Sequence, residues 1–183
     1  MVTTYPLVDI NSRCASLMPH KYPMAGMKSH EVTVGVYQVA TGKTVWLKSG
    51  LPKEKYLTNI VWSLDEQHIY LVELNREQNE QHLVRYSAAT GEREKVLITE
   101  SDHRYVEPQH PIVFLPNNPN QFIWQTEADG YNHLYLCSLG KHGSRMAHNT
   151  ESLEIKQLTS GKWVVLEVLG FNAKRKSVVI ASN

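Results

Sequence analysis

Gly42-Lys43-Thr44 is the tripeptide that closes a phosphate-binding loop, where backbone N–H groups and a lysine ammonium meet phosphate oxygens. That loop needs a glycine five residues before Gly42, and the position holds Tyr37. It also needs a strand before it and a helix after it, whereas two strand-like runs flank this one. Lys43 and Thr44 read as surface residues beside a turn. Ser144, in Gly143-Ser144-Arg145, has His142 and His148 near it in sequence, which could suggest a nucleophile with a base. No G-x-S-x-G segment occurs, so the strand-to-helix turn that exposes such a serine is missing. His103 with His110, and His142 with His148, lack the i, i+4 helical spacing of metal ligands and have no carboxylate cluster beside them. Solvated loop histidines are expected. Cys14 and Cys137 match no metal or redox spacing and read as two unpaired, half-buried thiols. The chain is therefore expected to hold no catalytic, substrate-binding, cofactor or metal residues of its own.

Two further groups could bind rather than react. Trp46, Trp62, Trp124 and Trp163 fall at comparable places in strand-like runs. They could line a groove, but large rings more often fill the gap between adjacent sheets, and packing is the expected role. Asn75-Arg76-Glu77-Gln78-Asn79 could form a polar binding edge; the simpler reading is a hairpin that hydrogen-bonds its own backbone.

The elements that must position these residues are strands. No window carries a sustained helical apolar period. Val32 to Val36 alternates, and 67–74, 82–86 and 133–137 are apolar on both faces. Gln121 to Trp124 and Lys176 to Ile180 complete the set. Strands apolar on both faces must be covered on both faces, which in an all-β chain means sheet against sheet. Turn signals separate the runs at Asp65-Glu66, Asn75 to Asn79, Ala89-Thr90-Gly91, Asp129-Gly130 and Ser160-Gly161. Val39 to Leu47 resembles Ala88 to Leu97, and Gly42, Gly91 and Gly140 fall 49 residues apart. A period near 50 that holds four short strands, here 57–63, 67–75, 80–87 and 92–99, is the signature of a β-propeller. The expected fold is all-β: a partial propeller of about three four-stranded antiparallel blades, with repeats at about 28–48, 57–99, 105–160 and 163–183. Pro23 and Gly26 form a corner ahead of the first outer hairpin, in which Glu31 to Val39 and Lys43 to Leu47 are the strands.

The totals exclude several classes. Among 183 residues, Lys and Arg number 19 against 18 Asp and Glu, a net charge of +1. No basic stripe marks a nucleic-acid surface. No apolar run is long enough to span a bilayer, and MVTTYPLVDI does not read as a signal peptide. Met1 opens directly into ordered-looking sequence, as expected of an internal piece of a longer chain.

Four segments carry a resemblance. Tyr22-Pro23-Met24-Ala25-Gly26 resembles the Y-P-x-A-G corner in the propeller domain of dipeptidyl peptidase IV and its relatives. Leu74 to Asn79 resembles the family's L-N-R-x-Q-N hairpin. Phe122-Ile123-Trp124 through Asp129-Gly130 to Tyr135 resembles its F-I-W-x-S-E-x-D-G-x-x-H-L-Y segment, and Leu158 to Val165 its L-T-S-G-x-W-x-V junction. They stand in family order. Thr126 replaces the usual Ser, and Leu64 the usual Pro of the W-S-P-D turn. The resemblance implies the N-terminal portion, part of an eight-bladed propeller, of a secreted or periplasmic serine exopeptidase that removes X-Pro or X-Ala dipeptides. It implies a C-terminal α/β-hydrolase domain that carries the catalytic residues and is absent from 1–183. The family's paired glutamates for the substrate ammonium precede the corner, and residues 1–21 contain no Glu. The family's pocket-lining Phe-Arg pair corresponds to about Ala88-Ala89, so that contact does not carry over. The expected role is architectural: to narrow access for peptide substrates, with the hydrolase domain of the same parent as partner and no cofactor. A dimerisation arm is implied after the corner, although the hairpin Gln38 to Lys48 is short. Two other readings remain: a free-standing β-repeat interaction module, and a tripeptidyl-releasing relative.

Overall fold

The computed structural model describes residues 1–141, 151–172, 174 and 177–183. Among them every regular element is a β-strand. Ser144, His142, His148 and Lys176 lie outside the described residues.

The chain begins with a hairpin, β1 (Thr4–Asp9) against β2 (Ser16–Lys21). None of the expected strands falls here, and each run contains a proline, which cannot donate to a ladder. The register shows how the hairpin tolerates them: Pro6 lies opposite Pro19, so both missing donors fall on one rung. The corner follows. Met27 N–H donates to the Met24 carbonyl at 3.0 Å, and Gly26 takes φ +74°, a left-handed backbone that side chains resist.

β3 (Gly35–Gln38) pairs with β4 (Lys43–Trp46), with Gly42 in the turn between them. The first strand is shorter than the alternation of Val32 to Val36 suggests. β4 ends at Trp46, so residues before Gly35 have no partner rung beyond the Leu47 N–H to Val34 carbonyl bond at 2.9 Å. Next comes a four-stranded antiparallel sheet of β5 (Tyr56–Trp62), β6 (His68–Leu74), β7 (Glu80–Ser87) and β8 (Arg93–Ser101) in that order. A second has the order β9 (Val113–Leu115), β10 (Asn118–Thr126), β11 (His133–Lys141) and β12 (Glu151–Gln157). The last pair is β13 (Val165–Phe171) with β14 (Val178–Ser182). No sheet closes on itself.

Because side chains alternate across a strand, β6 serves two cores. Tyr70 and Val72, with Leu83 and Ile98, pack against Phe114, Phe122, Trp124 and Cys137 of the next sheet. Tyr70 meets Phe114 edge-on at 5.2 Å between ring centroids. Ile69 and Leu71, with Val84 and Tyr86, pack on the other face against Leu47, Val34 and Val36. The second four-stranded sheet repeats the arrangement: Ile123 and Leu134 turn away from Phe122 and Cys137 to pack with Val165, Phe171 and Ile180. The four sheets from β3 to β14 thus stack face to face in chain order. Of the four tryptophans, Trp124 is buried at 2% exposure and Trp163 packs on the β13–β14 side. Trp46 and Trp62 do not fill a gap between sheets; they are 59% and 46% exposed.

Candidate functional site

Turn residues act on their own backbones. Asn75 Oδ1 accepts from Asn79 N–H at 2.9 Å and from Glu80 N–H at 3.1 Å, so this loop is the self-bonded hairpin expected of it. In the Trp62-Ser63-Leu64-Asp65 turn, Ser63 Oγ donates to Asp65 Oδ1 at 2.5 Å, and Gln67 N–H donates to the same oxygen at 3.1 Å. The serine hydroxyl, then the Gln67 amide, holds the Asp65 carboxyl below its ordinary value. Gly42 sits in an exposed hairpin turn, and Lys43 and Thr44 are the first, exposed residues of β4. His103 is exposed beside Asp102 at 3.4 Å. Among the described residues no group of three or more His, Cys, Asp or Glu could hold a metal ion. Cys14 is exposed, Cys137 is buried, and both are free thiols. Burial, followed by the charge of Glu100, pushes the Cys137 thiol up to about 12. Ala88 is buried in the core on the β6–β7 side.

Three polar clusters sit between the apolar layers. The first centres on Glu73 of β6, only 4% exposed. Its Oε2 accepts from Lys55 Nζ at 2.9 Å, and its Oε1 accepts from Arg93 Nε at 2.9 Å and from the Tyr86 hydroxyl. Lys55 Nζ also donates to the Ser49 carbonyl, which ties the segment after β4 to the next sheet. Burial works against the Glu73 charge, but the donors of Arg93, Tyr86 and Lys55 outweigh it and hold the carboxyl below its ordinary value. Burial, reinforced by Glu73, raises the Tyr86 phenol well above the usual range. The hydroxyl therefore stays a donor.

The second cluster centres on Glu100 at the end of β8, directly opposite Gln81 on β7. Oε1 of Glu100 accepts from Trp124 Nε1 at 2.7 Å. Oε2 accepts from Gln81 Nε2 at 2.6 Å and from Thr126 Oγ1 at 2.8 Å. Trp124 and Thr126 belong to the next sheet, so this carboxylate joins two sheets. It borders a cleft of about 650 Å³ between the β8–β9 connection and the β10–β11 turn. The third cluster is the junction to β13. His133 Nε2 lies 3.0 Å from the Gly161 carbonyl; a carbonyl only accepts, so Nε2 carries the proton. Nδ1 lies 3.1 Å from Thr159 Oγ1, and Trp163 stands edge-on to the imidazole at 5.0 Å.

Sequence reasoning passed over Glu73 and Glu100. The signal for Glu73 was present, because a carboxylate inside a run that is otherwise apolar on both faces must find donors in the interior. Glu100 stands near the end of a strand that opens with Arg93, Glu94 and Lys95 and gives no such signal. The hydrogen bonds of these clusters join neighbouring sheets and the segments between them.

Comparison with known proteins follows the same line. Residues 1–183 match the family model described as "Dipeptidyl peptidase IV (DPP IV) N-terminal region". A "Probable dipeptidyl-aminopeptidase B" of Arthroderma gypseum is 29% identical over 161 residues, covering 80% of this chain and 16% of that protein. A crystal structure of a "putative dipeptidyl aminopeptidase IV" from Bacteroides ovatus aligns over 100% of this chain and 27% of its own, at 48% identity and a TM-score of 0.84. Porphyromonas gingivalis dipeptidyl peptidase 4 aligns over 94% of this chain and 23% of its own, at 23% identity and a TM-score of 0.72, a likeness of fold. The chain thus spans roughly a quarter or less of each of these relatives.

Proposed function

Since the chain belongs to the family of dipeptidyl peptidase IV N-terminal regions, we propose that it is the substrate-gating propeller portion of a serine exopeptidase and is itself non-catalytic. The parent enzyme removes X-Pro or X-Ala dipeptides from peptide N-termini. Stacked rigid sheets in front of a hydrolase site admit thin, unfolded chain ends and turn away folded ones. The peptide and the C-terminal α/β-hydrolase domain of the same parent are the partners, and the parent works in the periplasm or outside the cell. The observation that carries this reading is the 48% identity to the Bacteroides ovatus protein along the whole chain. The cluster around Glu100 supports it physically, because its carboxylate hydrogen-bonds across two neighbouring sheets.

The test has two arms. The 183-residue chain is assayed with a Gly-Pro chromogenic substrate, and so is the product of the reading frame that contains it. The chain alone is expected to be inert, and the longer product to turn the substrate over through a G-x-S-x-G serine. Turnover by the chain alone overturns the assignment of catalysis to another domain. A reading frame that stops without such a serine makes the chain a free-standing interaction module. Release of tripeptides in place of dipeptides moves the parent to the tripeptidyl relatives.

A further inference from the structure

The cleft beside Glu100 is chemically one-sided. Glu100, Asp102, Glu107 and Glu127 all line it, and Arg104 is the one cation on its walls. Glu100 accepts three hydrogen bonds, all from neutral donors, Trp124, Gln81 and Thr126. Among the described residues no cationic side chain pairs with it. After burial and the charge of Asp129, the charge of Glu100 helps to raise the Tyr135 phenol. Gln81 also lines this cleft and is only 4% exposed. It spends its amide N–H on Glu100, and its Oε1 has no hydrogen-bond partner. A buried amide oxygen without a donor is uncommon and costs stability unless something supplies one. Asp102 already has Arg104 Nε at 3.5 Å, but an uncompensated Glu100, a carbonyl oxygen in want of a donor and the carboxylates of Glu107 and Glu127 ask for the same thing: a positive group with several N–H donors.

We propose that this cleft is a recognition site for a basic side chain of a bound peptide, a lysine ammonium or an arginine guanidinium. The apolar stem would run along Tyr105 and Val106, and the charged head would take Glu100 as its principal partner, because that carboxylate is already oriented by its three donors. The choice of a peptide as the occupant rests on the peptidase reading; the preference of the cleft for a cation with N–H donors does not.

Trp124 supplies a direct reporter, since its indole N–H is bonded to Glu100. The ¹⁵N-labelled 183-residue chain is titrated at constant ionic strength with acetyl-Gly-Lys-Gly-amide, and in parallel with the norleucine peptide, methylammonium chloride and potassium chloride. The Trp124 indole resonance is identified by its loss in Trp124→Phe. The lysine peptide is expected to shift it saturably with a Kd of about 1 mM or tighter, and the norleucine peptide to leave it in place. Glu100→Gln should weaken binding at least about tenfold, the loss expected when a charge partner is removed. If Glu100→Gln loses its spectral dispersion, the Asp102→Asn, Glu127→Gln double variant decides, because neither carboxylate bonds across the sheets; it should weaken binding several-fold. A flat lysine titration, an equal response to norleucine, saturation by potassium at the same concentration, or unchanged affinity in the deciding variant overturns the proposal. None of these readouts needs hydrolysis, so a failed titration leaves the peptidase assay to stand or fall by itself.

Discussion

At the scale of single residues, the behaviour of the interior is set by who donates to Glu73. Its carboxyl lies below the ordinary value of 4.5, so the sign of the pH effect is fixed. A carboxylate with a lowered folded value stabilises the fold above its unfolded value, and that contribution is lost as pH falls through the folded one. The melting temperature of the chain is expected to drop on acidification below about pH 4.5, and Glu73→Gln should flatten that slope. At neutral pH the same variant leaves Lys55 nearly buried without its charge partner, a loss of about 3 kcal/mol by the usual cost of breaking a buried pair. Thermal melts from pH 7 to pH 3 check both. The two thiols give a second residue-scale test. Cys14 is open to solvent, whereas burial raises the Cys137 thiol to about 12, so its thiolate is scarce and shielded. Ellman's reagent at pH 8 should label one thiol per native chain quickly, and the second only on unfolding. Fast labelling of both would mean that the face between the two four-stranded sheets is not closed.

At the scale of elements, some strands were legible and others were not, for separable reasons. β6 and β7 are apolar on both faces and are bounded by Asp, Asn and Gly turns, so periodicity and turn chemistry agree within a residue or two. β10 begins three residues before the run 121–124, and β11 ends four residues after the run 133–137. β1 and β2 were illegible because a proline in each argues against a strand, and only the register shows the two prolines facing one another. Trp46 and Trp62 show a different limit: a pattern reveals which face a ring lies on, but not whether another sheet covers that face. The connection between sheets turns on Gly91. Lys48 N–H donates to the Gly91 carbonyl at 2.8 Å, and a Cβ at Gly91 would lie 2.1 Å from the Trp46 carbonyl oxygen. Gly26 has a similar φ, +74° against +71°, but nothing within 4 Å of its would-be Cβ. Comparing the two alanine variants isolates the contact. Gly26→Ala should cost only the left-handed backbone strain, about 1 kcal/mol, and Gly91→Ala at least ~2 kcal/mol more. Urea melts measure the difference, and equal losses would show that β4 and the β7–β8 turn do not press on one another.

At the scale of the whole molecule, the hairpin that precedes the stack and the last pair within it are uncovered. β2 is exposed along its whole length, and Val8, Ile10, Leu17 and Met18 of the first hairpin face solvent. On β13 and β14, Leu166, Leu169 and Val179 are each more than half exposed. Between these ends the molecule behaves like a row of sheets in which every inner sheet has two neighbours. The outer pairs have one neighbour or none, and they also carry unpaired strand edges. A two-stranded hairpin is at best marginal in water without a covering layer, so apolar faces of this kind draw in others. The chain is expected to self-associate, with a sedimentation coefficient that rises as concentration increases through the micromolar range. The two ends can be separated by mutation. Val8 and Leu17 are cross-strand partners, so Val8→Lys with Leu17→Lys places two like charges together on the hairpin without touching the central sheets. Leu166→Lys with Val179→Lys puts two charges at exposed apolar positions of the other end, although these two are not cross-strand partners, since Val179 lies opposite Gly170. If the hairpin is the sticky surface, the first pair abolishes association and the second leaves it; if the β13–β14 face is, the result reverses. A single sharp monomer boundary from the unmodified chain at high concentration would show that the exposed faces are tolerated by water as they stand.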